Sequence, residues 1–202
     1  MKLLGSITSP YVRKVRVVLA EKKIDYEFQI VIASDPDGPV RRYNPLARVP
    51  VLVLDDDSAI FDSPVIVEYL DSAAPNNKLL PQPSRERIEV KRREALADGL
   101  LDAAVSARME SVRPENERSP ASIERNRMVI HSCLEWMSRE LGDNAWCMGT
   151  PFGLADIAVG CALGYLDLRF ADIDWRSAYP NLDRLHDKLM QRSSFAETVP
   201  RV

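Results

Sequence analysis

"MKLLGSITSPYVRKVRVVLAEKKIDYEFQIVI", residues 1–32, changes its hydrophobic period twice. Residues 1–5 form a short apolar run that reads as a strand. After Ser9 and Pro10, Val12, Val15 and Leu19 recur at helical spacing among Arg and Lys. Tyr26, Phe28, Ile30 and Ile32 then alternate, which is the period of a strand. Strand, amphipathic helix and strand with short connections make a βαβ unit, which calls for parallel strands and a right-handed crossover. The start of that helix then lies at the carboxyl end of the first strand, where open α/β sheets bind ligands. Ser9 and Pro10 suit a helix start, because a serine hydroxyl caps free backbone amides and proline fits the first helical position.

Outward from this unit, residues 33–50 are rich in Pro, Asp and Gly and read as a loop with at most one irregular helical turn. "VPVLVLDDDSAIF", residues 49–61, is two apolar runs around an Asp-Ser turn, a hairpin pattern. Residues 62–73, "DSPVIVEYLDSA", read as a helix with Ile66, Tyr69, Leu70 and Ala73 on one face and a second Ser-Pro start at Ser63 and Pro64. "APNNKLLPQPSRER" follows, dense in Pro and Asn, and beyond it the strand signals stop. That marks a domain boundary. The later periods are helical: Leu96, Leu100, Ala103 and Ala107; then Ile123, Ile130, Leu134, Met137 and Leu141; then Leu182, Leu185 and Leu189 after Pro180. "LADIAVGCALGYL", residues 154–166, is apolar nearly all round and predicts a buried central helix.

Composition narrows the function classes. The chain has 202 residues, 46% hydrophobic and 28% charged, the balance of a globular protein with a real core. A net charge of -3 with cations and anions interspersed leaves no basic stripe for phosphates, so nucleic acid is not an expected partner. No stretch has the apolar length of a signal-peptide core or a membrane span, so a cytoplasmic location is expected and no membrane partner. Cys133, Cys147 and Cys161 lack CxxC spacing and read as reduced core fillers. His131 and His186 have no Cys or carboxylate at metal spacing, and no metal is expected.

"TSPYVRKVRVVLAEK", "NPLARVPVL", "FDSPVIVEYL", "GLADIAV" and "YPNLDRLHDKLMQRSSF" stand in this order along the chain. Together with a βαβ–ββα half joined by a proline-bearing linker to an all-helical half, they resemble the soluble glutathione transferase family. The likeness spans essentially the whole chain, and the Ser-Pro start resembles the serine-type members, among them the bacterial YibF-like group. It implies a thioredoxin-like α/β N-terminal domain over residues 1–78 that binds glutathione. An all-α helical C-terminal domain over residues 85–202 would contribute the electrophile pocket. The implied activity is attack of glutathione thiolate on a small hydrophobic electrophile, with glutathione as co-substrate, no metal, and a homodimer as the assembly. Two other readings share the fold: glutathione-dependent reduction of peroxides or disulfides without a protein cysteine, and a binding or regulatory module that has lost turnover.

The resemblance also implies site residues. Val49 and Pro50 would hold the peptide backbone of glutathione, the family having a cis proline here; alternatively Pro50 merely starts a strand. Asp62 and Ser63 would take the γ-glutamyl ammonium and carboxylate, although Asp-Ser-Pro is equally a helix cap. Arg48 would reach the glycyl carboxylate or be simply solvated. Ser9 would donate to the sulfur, with Thr8, Ser6 and Tyr11 as nearby rivals. A thiol titrates near ~8.5, and a hydroxyl donor at a helix N-terminus lowers that by roughly one to two units. Tyr11, Arg108 and Met109 would line the electrophile pocket. One position departs from the family: the buried helix opens with Gly153 and Asp156 instead of Ser or Thr and Asp, which leaves half a capping box and a structural role for Asp156.

Overall fold

Leu3 and Leu4 are buried at the centre of a four-stranded sheet in the computed structural model, which describes residues 1–201. The strands are β1 (Lys2–Gly5), β2 (Glu27–Ile30), β3 (Val51–Val53) and β4 (Ala59–Ile60), in the order β2-β1-β3-β4. β1 pairs parallel with β2, Leu3 opposite Phe28, and antiparallel with β3, Leu3 opposite Leu52. β3 and β4 form the expected antiparallel hairpin, Leu52 opposite Ile60. Helices α1 (Pro10–Lys22), α2 (Val40–Tyr43) and α3 (Ser63–Ala73) complete this thioredoxin-like α/β arrangement.

α1 buries Val12, Val15, Val18 and Leu19, each worth about 1.5–3 kcal/mol relative to exposure. Its first turn lies tight against the end of β1. A methyl group at Gly5 would stand 2.6 Å from the Val12 side chain, so only glycine lets the helix start so close to the strand. At the other end Lys23 enters the left-handed region at φ 53° and its N–H closes on the carbonyls of Ala20 and Leu19, a left-handed C-cap.

Contacts divide the chain into two units. The first is Met1–Pro81 together with the segment from Gln191 onward, which carries the short helix α9 (Ser193–Ala196). The sequence reading groups that segment with the helical half, whereas it packs on α1. Arg13 donates to the Phe195 carbonyl at 3.3 Å, and Arg192 and Ser194 both donate to Glu21. The second unit, Gln82–Met190, holds α4 (Arg85–Ser111), α5 (Pro120–Leu141), α6 (Leu154–Arg169), α7 (Trp175–Ala178) and α8 (Pro180–Met190). α4 packs on α5 and α6, and every residue of α6 from Leu154 to Leu166 is buried, as the apolar run predicts. The half box at its start is present: Gly153 N–H donates to Asp156 at 2.9 Å, and Cys147 N–H occupies the second carboxylate oxygen at 2.7 Å. Burial pushes the Asp156 carboxyl above its usual range against the pull of these amides. No helix among the described residues is long and apolar enough to cross a membrane.

The structure departs from the sequence reading at two places. Ile30 and Ile32 are exposed and Val31 between them is buried, so the core lies on the opposite face from these two side chains. Ala73 is exposed; the inner face of α3 is Ser63, Ile66, Val67, Leu70 and Asp71. α1 also carries buried cations, Arg13, Lys14 and Lys22. Lys22 reaches Asp71 at 2.9 Å and the Asn76 carbonyl at 2.5 Å, while Asp71 accepts from the Leu79 and Leu80 amides. His186 lies 3.8 Å from the Asp167 carboxylate and 3.3 Å from Arg176.

Candidate functional site

Three segments leave the sheet at the same end. Pairing of Leu4 with Val51 sets the end of β1 beside the start of β3, and pairing of Leu52 with Ile60 runs β4 back towards that end. Residues 5–9, 48–50 and 61–63 therefore emerge together, and they carry Ser9, Arg48, Val49, Pro50, Asp62 and Ser63.

Ser9 is the N-cap of α1, with extended backbone at φ -76° and ψ 123°. Its hydroxyl oxygen accepts from Val12 N–H at 3.3 Å and its carbonyl accepts from Arg13 N–H at 3.0 Å. A hydroxyl oxygen that accepts from the backbone still keeps its own proton to donate. Capping and donation to an anion thus use different parts of one group. The neighbouring hydroxyls of Ser6 and Thr8 are engaged with each other at 3.1 Å, and Tyr11 is half-buried in the first turn of α1.

The Val49–Pro50 bond is cis, the geometry the family resemblance implies. The Val49 side chain packs against the cluster of Leu4, Val31, Val40, Val51 and Val53. Its backbone N–H and carbonyl make no backbone hydrogen bond among the described residues. Arg48 is exposed.

At α3 the arrangement differs from the sequence reading, which starts the helix as it does α1. Ser63 is the first residue of the helix, and the cap position falls to Asp62. The Asp62 carbonyl accepts from Val65 and Ile66 N–H at 3.1 and 3.0 Å, whereas its carboxylate makes no capping bond. The Phe61–Asp62 peptide is also cis, which no residue pattern announces. An exposed carboxylate thus stands next to a buried hydroxyl and the free Ser63 N–H of a helix start. Such a trio matches an ammonium on one side and a carboxylate on the other.

Arg108 and Met109 lie in the last turn of α4 in the second unit, Arg108 half-buried and Met109 62% exposed. The three cysteines are also in that unit, with Cys147 and Cys161 buried and Cys133 half-buried. Burial pushes the thiols of Cys133 and Cys147 up, away from the reactive thiolate. Sequence reasoning passed over Asn44, which is buried in the loop before Val49. Its signal was Asn-Pro, which reads only as a turn.

Residues 8–73 match the model of the glutathione S-transferase N-terminal domain, and residues 120–188 that of the C-terminal domain. The GST-like protein YibF of Escherichia coli (strain K12) is 39% identical over 200 residues, covering 99% of this chain and 98% of that protein. The chain belongs to the glutathione S-transferase family. Among solved family structures, a glutathione S-transferase from Methylobacillus flagellatus KT with glutathione bound is 50% identical, with a TM-score of 0.96 over 99% of each chain. One from Methylobacterium radiotolerans, in complex with glutathione sulfonate, is 40% identical, with a TM-score of 0.95 over 100% of this chain and 95% of that one.

Proposed function

We propose that this glutathione S-transferase family member conjugates glutathione to small hydrophobic electrophiles. The observation that carries the reading is the start of α3: the Asp62 carboxylate and the Ser63 hydroxyl are not spent on capping and stand beside a free amide. The γ-glutamyl end of glutathione has one ammonium and one carboxylate, the charges this trio complements. The open backbone groups of Val49 would pair with the cysteinyl peptide, and Arg48 would meet the glycyl carboxylate. The Ser9 proton would then be donated to the sulfur, favouring the nucleophilic thiolate. Tyr11, Arg108 and Met109 are the proposed electrophile contacts, on the family likeness alone. A homodimer in the cytoplasm is the proposed assembly, which light scattering checks.

Isothermal titration with glutathione tests binding, and a thiolate difference spectrum of the complex tests activation. The bound thiol should titrate below the free one, and Ser9→Ala should move it back up. Binding without turnover on aryl halides, but with turnover on peroxides, would shift the assignment to reduction. No binding at all would leave a module without the ligand.

A further inference from the structure

Asn44 is a side chain that neither the fold pattern nor the proposed contacts use, and it is 1% exposed. Around it the loop 44–48 closes completely. Its backbone N–H donates to the Val40 carbonyl at 2.8 Å, and its carbonyl accepts from Ala47 N–H at 3.0 Å. Its side-chain oxygen accepts from Leu46 N–H at 3.0 Å, and its side-chain nitrogen donates to the Arg48 carbonyl at 2.9 Å. Between these bonds Ala47 sits at φ 52°, in the left-handed region that a residue with a Cβ rarely adopts. One buried residue thus ties together the five residues of the loop.

The last of these bonds reaches the site. The Arg48 carbonyl belongs to the peptide that carries Val49 N–H, and that peptide is not one of the two cis bonds. In a planar trans peptide the C=O and N–H point in opposite directions. Drawing the carbonyl inward to Asn44 therefore turns the Val49 N–H outward, where it has no backbone partner among the described residues. From the other side the Val49 side chain is seated in the apolar cluster under β1 and β3, so the residue cannot roll about the chain axis.

We propose that Asn44 is a positioning residue for glutathione: by holding the Arg48 carbonyl it presents the Val49 backbone, pre-aimed, to the peptide of the ligand. The inference rests on the glutathione reading above and adds a residue that touches no ligand atom. A backbone donor fixed before binding costs no ordering when the ligand arrives, so the gain appears in glutathione affinity and not in the chemical step.

The test uses the full chain labelled with nitrogen-15. In the unaltered protein, glutathione should shift the Val49 amide resonance and slow its hydrogen exchange, together with the Ser63 resonance. Asn44→Asp keeps an acceptor for Leu46 N–H but loses the donor to Arg48. Asn44→Leu, of similar size and uncharged, removes the donor to Arg48 together with the acceptor for Leu46 N–H. In either variant the glutathione dissociation constant should rise about tenfold and kcat at saturating glutathione should stay within about twofold. The Val49 response should be lost while that of Ser63 persists.

Two results overturn the role of Asn44 alone: unaltered affinity in a folded variant, or a Val49 resonance in the unaltered protein that ignores glutathione while Ser63 responds. Equal loss of both responses also overturns it, since that signals general loosening. No binding by the unaltered protein would instead overturn the glutathione reading and this inference with it. Should both variants fail to fold, the Val49 resonance of the unaltered protein decides.

Discussion

Helices α1 and α3 both begin at Ser-Pro, yet their serines occupy different places. Ser9 stands outside its helix and caps it with its hydroxyl, so Pro10 takes the first helical position. Ser63 is itself the first helical residue, Pro64 the second, and the cap is the Asp62 carbonyl with no side chain involved. A shift of one residue decides what remains for a ligand. α1 offers one hydroxyl already engaged as an acceptor, suited to donating a single proton to sulfur. α3 offers a carboxylate, a hydroxyl and an amide, suited to a zwitterion. On the proposed reading, the same dipeptide would serve a soft anion at one helix and a pair of opposite charges at the other.

The largest expected effect would break the comparison by loosening both helices at their far ends. Lys22 in the last turn of α1 and Asp71 in that of α3 form a buried pair at 2.9 Å. Asp71→Ala strands the lysine and should cost about 3–5 kcal/mol, read as a large fall in the urea midpoint. Lys22→Met with Asp71→Leu should recover only part of that loss, because the charges leave together but the Leu79 and Leu80 amides lose their acceptor.

Next come the changes at α3. Ser63→Ala should weaken glutathione binding at least tenfold, since a hydrogen bond to a charged group is worth about 1.5–3 kcal/mol. Asp62→Ala should weaken it similarly, yet change stability by less than about 0.5 kcal/mol, because no capping bond is lost. Calorimetric titration and thermal melting on the same samples separate the two quantities. A clear fall in melting temperature with unaltered affinity would make α3 a second α1.

Ser9→Ala should invert that pattern. Losing the bond from Val12 N–H costs about 1 kcal/mol of stability, or a fall of about 2–4 °C in Tm. Glutathione affinity above the thiol pKa should drop only modestly, while the titration of the bound thiol moves up. An unmoved titration would pass the sulfur contact to the Ser6–Thr8 pair or to Tyr11.

The smallest effect concerns pH. Burial pushes the Glu21 carboxyl up, but hydrogen bonds from Arg192, Ser194 and Asn77 pull it further down, so it ends below its ordinary value. Its contribution to stability is present above the unfolded-state pKa of about 4.3 and lost as pH falls through the lower folded value. Glu21→Gln should flatten the acid side of the stability profile between those two values and leave the neutral side unchanged in slope.

Much of the architecture was legible because period reports burial. The βαβ unit, the hairpin, the apolar α6 and the Leu182, Leu185 and Leu189 stripe all follow from spacing. Where the reading failed, composition outweighed position. Nothing local reveals that Lys22 meets a carboxylate 49 residues away or Arg13 a carbonyl 182 residues away. Ile30 and Ile32 mark the period of a strand, but alternation does not say which of its two faces is buried. At the candidate site, Ser9, Val49, Pro50, Asp62 and Ser63 were named from a family likeness, since Ser-Pro and Asp-Ser-Pro spell a helix start and nothing more. Which residue begins the helix is set by the preceding loop, and that register is below the resolution of pattern. Asn44 was invisible for a related reason: its partners are backbone groups, which every sequence contains.

Placement of α9 bears on how the protein is made. The ribosome releases residues 1–81 first, but this unit lacks Arg192, Ser194 and Phe195 until the strand of synthesis has passed through all of α4 to α8. Domains usually fold in the order of their emergence. Here the unit translated first is completed last, so a nascent chain stalled anywhere before Gln191 holds α1 with Glu21 lacking those two donors and the Phe195 side of the helix uncovered.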